Sequence, residues 1–122
     1  MVKYSRGRAR EAQWFQIMLN GGETVGTCEI VIGECLSGAQ PVERRGWREI
    51  FGALRLWSVT PEDAIQAGIW RYDFARRGIQ LSMTDTIIAA VALRVGATVV
   101  TDNLKDFPMP ELAVMSLPPA TP

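Results

Sequence analysis

Histidine is absent from this 122-residue chain, and cysteine occurs only twice. The missing imidazole removes the serine-histidine-aspartate triad, the cysteine-histidine pair, the commonest general base and most zinc sites in one step. Cys28 and Cys35 both stand in apolar surroundings, where a thiol packs as a small hydrophobe more readily than it bridges or binds metal. Net charge is missing too, since 13 basic residues balance 13 acidic ones. A polyanion would have to be met by local clusters, of which Arg6, Arg8 and Arg10, and then Arg44, Arg45 and Arg48, are visible. No apolar run approaches the ~18 residues of a membrane span, and no signal-peptide pattern opens the chain, so the expected location is the cytoplasm. No glycine-rich phosphate loop follows a strand, which weighs against a generic α/β domain for a phosphorylated small molecule.

What is left for chemistry is carboxylates, hydroxyls and arginines, a set that suits a hard, oxygen-ligated cation such as Mg²⁺ or Mn²⁺. Hydrophobic residues make up 48% and charged residues 21%, ordinary for a globular chain of one domain, here 1–122, long enough to bury a core. The sequence shows no internal repeat and no linker.

The most informative stretch runs from Leu81 to Phe107 and reads as helix, strand and polar loop. Ile87, Ile88, Ala89, Ala90, Val91, Ala92, Leu93 and Val95 leave hardly a polar face, so this helix is expected to be buried on most sides. Gly96 closes it. Thr98-Val99-Val100 is short, β-branched and apolar, as a strand buried on both faces of a parallel sheet would be. Its carboxyl end opens onto Asp102, Asn103 and Asp106, in the position where open parallel sheets bind ligands. Asp85 stands at the start of the preceding helix, where the dipole stabilises a carboxylate. Each acid alone could be a capping or loop residue; together they suggest a site.

Earlier in the chain, a helix is expected from Arg8, with Trp14, Phe15, Met18 and Leu19 along it, ending at Asn20-Gly21-Gly22 after a poorly ordered start over Met1 to Gly7. A brief strand over Thr24 to Thr27 leads to a helix capped by Thr27 and ended by Gly38. Glu34 lies four residues after Ile30 and three after Val31, so it projects from that helix's apolar stripe. A carboxylate there either reaches water at the stripe's edge or shares a crevice with Asp85. Pro41 opens a further helix through Arg55 that presents Trp47, Ile50, Phe51 and Leu54, a core face first and a protein-binding groove second. Leu56 to Val59 can form a strand. Thr60-Pro61-Glu62-Asp63 starts a helix to Arg77 that stops at Gly78, with Ile65, Ile69 and Tyr72 as its buried stripe. Leu112 to Met115 can add a last strand before Pro118, Pro119 and Pro122 fray the end.

Four pieces in this order resemble one family. They are Thr27-Cys28-Glu29-Ile30-Val31-Ile32-Gly33-Glu34-Cys35-Leu36-Ser37-Gly38-Ala39, then Arg76-Arg77-Gly78, then Thr84-Asp85-Thr86-Ile87-Ile88-Ala89-Ala90, and Gly96 to Phe107 with Thr101, Asp102, Asn103 and Asp106. The sequence is similar to PIN-domain proteins of the VapC toxin type over nearly its whole length. The resemblance implies a three-layer α/β/α fold on a parallel sheet and metal-dependent endoribonuclease activity on RNA. It also implies a cognate antitoxin partner and a homodimer. It further implies that Glu34, Asp85 and Asp106 are catalytic acids that hold Mg²⁺ or Mn²⁺ with Asn103, supported by Thr101 and Asp102.

One departure stands out. The family opens with an apolar strand, central in the sheet, that ends in an aspartate. Here no aspartate precedes Asp63, and nothing from Met1 to Gln13 reads as that strand. The expectation is therefore an N-terminally truncated domain, through a misplaced start, a shortened gene or a fragment. Loss of a central strand would expose two rows of backbone donors and acceptors, so the chain is expected to fold poorly and to cleave RNA weakly or not at all. The alternative is a degenerate, non-catalytic remnant that binds an antitoxin through Trp47, Phe51 and Leu54.

Overall fold

Two residues too few to show any periodicity occupy the centre of the sheet. In the computed structural model, which describes residues 2–3, 17–18 and 20–116, β1 (Val2–Lys3) pairs in parallel with β2 (Gly26–Thr27) on one side and β4 (Val99–Thr101) on the other. β3 (Arg55–Leu56) and β5 (Val114–Ser116) complete a five-stranded parallel sheet in the order β3-β2-β1-β4-β5. This corrects the expectation of a missing central strand. Pairing on both edges needs only backbone N–H and C=O groups, which Val2 and Lys3 supply whatever their hydropathy. The physical ground for expecting a poorly folding chain falls with it.

Between the strands run α1 (Glu29–Ser37), α2 (Arg44–Ala53), α3 (Pro61–Ala75) and α4 (Met83–Val95). Their ends follow the sequence signals closely. The Thr60 hydroxyl accepts from the Asp63 N–H while the Asp63 carboxylate accepts from the Thr60 N–H, a reciprocal capping box at the start of α3. Gly78 and Gly96 adopt the left-handed conformation, with φ of 81° and 71°. Each ends its helix in a Schellman motif: Gly78 and Ile79 donate to Ala75 and Phe74, and Gly96 and Ala97 donate to Leu93 and Ala92. At α1 the reading needs correction, because Cys28 occupies the N-cap position without a side-chain cap and Thr27 belongs to β2. β-strand bounds shift by one to three residues from those expected, since strands this short are defined by pairing and not by composition.

The core lies between α4 and the sheet. Thr86, Ile88, Ala89, Ala90, Val91 and Ala92 are all buried, and the apolar ones among them join Val99 and Val100 in one cluster, as the featureless apolarity of α4 predicts. Cys28 and Cys35 are not disulfide-bonded and are buried in the same core. Burial raises the Cys28 thiol above its ordinary pKa, so it stays protonated and inert. Trp47 and Leu54 are buried in that cluster, and the Phe51 ring stacks on Trp47 at 5.6 Å between centroids. Trp47 and Leu54 thus serve as core packing, with Phe51 partly buried against them.

α3 reverses the expected orientation. Its buried residues are Asp63, Ala67, Trp70 and Phe74, while Ile65, Ile69 and Tyr72 are exposed. Both sets recur at helical spacing, and bulk decides between them: two aromatic rings separated from Asp63 by small Ala67 fill the gap against α4. Of the expected first helix, Ile17, Met18 and Asn20 are helical and the turn at Gly21-Gly22 closes it as expected. The cluster Arg6, Arg8 and Arg10, the side chains Trp14, Phe15 and Leu19, and the prolines Pro118, Pro119 and Pro122 lie outside the described residues. No helix among the described residues is long and apolar enough to cross a membrane.

Candidate functional site

Strand order fixes where a ligand can sit. In β3-β2-β1-β4-β5 the direction of chain progression reverses between β1 and β4, and at such a switch point the connections depart to opposite faces and open a crevice at the strands' carboxyl ends. β4 ends there with Thr101, followed by Asp102, Asn103 and a single 3₁₀ turn over Leu104–Asp106. Thr101 is buried, and its hydroxyl accepts a hydrogen bond from the Asn103 N–H at 3.0 Å. The Asp106 N–H in turn donates to the Asn103 carbonyl at 3.0 Å. The loop is therefore tied to the strand at two successive points, with Asn103 and Asp106 half-buried and Asp102 exposed.

Asp85 reaches the same region from α4. The chain reverses within Gly96-Ala97-Thr98 between α4 and β4, so helix and strand run in opposite senses and the amino end of α4 lies toward the carboxyl end of β4. Ser82 caps the helix by accepting from the Asp85 N–H at 3.0 Å. The Thr86 hydroxyl donates to the Ser82 and Met83 carbonyls. Asp85 is buried in this first turn, and the helix dipole offsets part of the cost of a charge there.

Of the two placements the sequence left open for Glu34, the structure shows the one at the stripe's edge, open to solvent. The buried residues of α1 are Val31 and Cys35, and Glu34 is exposed beside them. Its helix does pack against α4, which carries Asp85. Among the described residues no group of three or more acidic, cysteine or histidine side chains stands close enough to hold a metal ion. The structure thus brings Thr101, Asn103 and Asp106 into one loop at the switch point, sets Asp85 on the adjoining helix end, and leaves Glu34 on a neighbouring helix face. In donor chemistry the set is carboxylate and amide oxygen throughout, which fits a hard divalent cation and no soft one.

A second polar constellation escaped the sequence reading. The Arg94 guanidinium, on the last turn of α4, donates to both carboxylate oxygens of Asp63, with Nε at 3.0 Å from Oδ1, and also to the Ser58 carbonyl at 2.9 Å. Glu29, opening α1, accepts the Val59 N–H at 2.9 Å. Burial by itself would raise the Asp63 carboxyl, but Arg94 and the Thr60 capping groups outweigh it and hold it below its ordinary pKa. Glu29 is likewise lowered, by its own N–H, by that of Val59 and by the Ser58 hydroxyl. These groups fix the 58–60 segment between three helices. The one available signal was an arginine in a helix otherwise almost wholly apolar.

With this geometry in view the relatives can be placed. The chain matches the PIN domain family over residues 2–108. It belongs to that family. It is 33% identical over 111 residues to Ribonuclease VapC19 of Mycobacterium tuberculosis, an alignment covering 88% of this chain and 86% of the relative. Among solved structures it superposes on VapBC-1 of nontypeable Haemophilus influenzae with a TM-score of 0.75 at 16% identity, covering 96% of this chain and 98% of the other. VapBC2 of Rickettsia felis, bound to a promoter DNA fragment, gives a TM-score of 0.70 at 21% identity over 95% and 98% of the two chains. At those identities the structural likeness speaks for the fold, and the match to the PIN family is consistent with the parallel sheet and its switch point.

Proposed function

We propose that this chain is the ribonuclease toxin of a VapBC-like pair, a metal-dependent endoribonuclease that hydrolyses RNA phosphodiester bonds in the cytoplasm. The observation that carries the reading is the placement of an acid-and-amide loop, Thr101 to Asp106, at the switch point of a PIN-family sheet, in a chain one-third identical to a named ribonuclease. Glu34, Asp85, Asp106 and Asn103 would hold Mg²⁺ or Mn²⁺. That ion would supply Lewis acidity and counter-charge for the scissile phosphate.

The side chains have separable tasks in this reading. Asp85 stands at the positive end of α4, where the dipole favours a carboxylate, and the Ser82 hydroxyl holds its backbone by accepting its N–H. Asn103 can donate its side-chain amide to a phosphate oxygen, and the Thr101 hydroxyl holds its backbone in place. Glu34 and Asp106 supply further negative oxygens, and Asp102 stands beside them at the solvent. In the absence of histidine, the carboxylates of the site are the groups that would carry proton transfer in this reading. The partners in this reading are an antitoxin and a second copy of the chain.

One observation favours a non-catalytic alternative that retains antitoxin binding: no aspartate precedes Asp63, so no aspartate carboxylate can come from the end of β1. A single experiment separates the two. The purified chain is incubated with end-labelled RNA and Mg²⁺ or Mn²⁺, with chelator and with Asp85→Asn as controls. Cleavage that both controls abolish supports the nuclease; co-purification with an antitoxin and no cleavage at any metal concentration supports the alternative.

A further inference from the structure

The connection from α3 to α4 carries positive charge to the edge of an acidic site. Between Asp73 and Asp85 the sequence holds no acid and two arginines, Arg76 and Arg77. Arg71 joins them from the helix itself. Its Nε donates to the Leu81 carbonyl at 2.9 Å, one residue before the Ser82 hydroxyl that caps α4 and accepts the Asp85 N–H. That bond ties the guanidinium to the amino end of α4 and leaves its two Nη groups without a partner among the described residues. Arg77 is held by a different contact. Its N–H donates to the Phe74 carbonyl at 2.9 Å, and its guanidinium lies 4.4 Å from the centre of the buried Phe74 ring. A guanidinium stacked on a ring keeps its N–H groups in the plane, open to an anion. Both arginines are exposed, and neither is paired with a carboxylate among the described residues.

We propose that Arg71 and Arg77 form a subsite for the phosphodiester backbone of the RNA strand, on the α3 side of the site that Asp85 borders. Arg71, Phe74 and Arg77 stand three residues apart in turn, along one ridge that runs from α3 into its closing turn. The chain then folds back to Leu81 and Asp85, so a strand lying along the ridge meets the acids. Electrostatics argues for this occupant. Carboxylates at the strand ends repel a polyanion, and a strand that binds across them needs fixed positive charge at the margin. The bond to Leu81 fixes the Arg71 side chain before the strand arrives, so less rotamer freedom is lost on binding. Arg76 has no part in the subsite, because its guanidinium is turned to the Tyr72 hydroxyl at 3.0 Å. The subsite takes its ligand class from the nuclease reading above, and it needs no metal to bind.

Fluorescence anisotropy of a labelled RNA oligonucleotide, titrated with the full chain in chelator, reads binding without cleavage. Arg71→Gln and Arg77→Gln are each expected to raise the dissociation constant by about threefold or more. Each is also expected to lessen the slope of log affinity against log salt by about 0.7, the share of one phosphate contact on a single strand. Arg71→Lys keeps the charge and gives up the planar Nε contact, so it should hold the wild-type slope while losing as much thermal stability as Arg71→Gln. Arg45→Gln, whose guanidinium is engaged with Glu49 on α2, should leave affinity and slope near those of the wild type. A lowered thermal midpoint for Arg71→Gln with an unchanged salt slope makes Arg71 a structural tie and overturns the subsite, as does a wild type that binds no RNA. Equal losses in Arg45→Gln overturn it too, by assigning the effect to overall charge. Metal-dependent cleavage by a wild type whose binding neither substitution alters overturns the subsite and leaves the nuclease reading standing. Binding that depends on both arginines, in a chain that cleaves nothing, supports the subsite and counts against the nuclease reading alone.

Discussion

Arg94 and Asp63 are 31 residues apart in sequence, yet the Arg94 Nε lies 3.0 Å from Asp63 Oδ1, joining the last turn of α4 to the first turn of α3. The carboxylate is almost wholly buried and the guanidinium is partly open to solvent. Each helix end gains a charge of the sign its dipole favours. Removing one partner leaves the other poorly compensated, which costs more than the pair contributes.

Arg94→Ala is therefore expected to lower the stability of the domain by about 1–2 kcal/mol, discounted for the solvent exposure of the guanidinium. Urea denaturation of the variant and the wild type measures it. Asp63→Asn is expected to cost a similar amount and to leave the fold intact.

The same pair sets a pH dependence. Asp63 is held below its ordinary carboxylate value when folded, so its contribution is fully present above that ordinary value and is lost as pH falls through the folded one. Glu29 moves in the same direction. Stability followed by thermal melting is expected to fall on acidification below about pH 4, and Asp63→Asn is expected to show a shallower decline. An equally steep decline in the variant would assign the acid sensitivity to other carboxylates.

Gly26, in β2, tests how closely the sheet is covered. A Cβ at this position would drive into the Trp57 indole ring, although the backbone there is ordinary. Gly26→Ala is expected to destabilise by about 1–3 kcal/mol through overpacking. Combining it with Trp57→Leu is expected to return part of the loss, a coupling that a double-mutant cycle reads directly.

The sequence announced some of these features and concealed others, for identifiable reasons. α4 was legible because nearly every side chain in it is apolar, and Thr60, Gly78 and Gly96 marked helix ends through local chemistry that needs no tertiary context. β1 was not legible, since two residues recruited by backbone pairing carry no pattern. On α3 periodicity pointed to Ile65, Ile69 and Tyr72, but the inward face was fixed by the bulk of Trp70 and Phe74 and by the long-range reach of Arg94. Glu34 was placed on the apolar stripe of its helix, but it lies one residue from Cys35, enough to rotate it into solvent. The place of the polar loop directly after β4 was legible because strand and loop adjoin in sequence, whereas the relation of Asp85 to Glu34 depends on how two helices pack.

Thr101 offers a test of that loop that leaves every proposed metal-holding side chain in place. Its buried hydroxyl accepts the Asn103 N–H at 3.0 Å. Valine has nearly the same shape, so Thr101→Val keeps the packing of β4 and removes only the acceptor. The folding cost is expected to be about 1 kcal/mol, the loss of one partly buried hydrogen bond. If the loop positions Asn103 and Asp106 for phosphate chemistry, the rate of RNA cleavage should fall by about tenfold or more, since small misplacements of catalytic groups are costly. Thr101→Ser, which restores the acceptor, should recover most of that rate while losing slightly more packing. Single-turnover cleavage of end-labelled RNA, compared with the thermal midpoints of the same three proteins, separates the two effects. A rate that tracks the midpoints and not the hydroxyl would make Thr101 a core residue only.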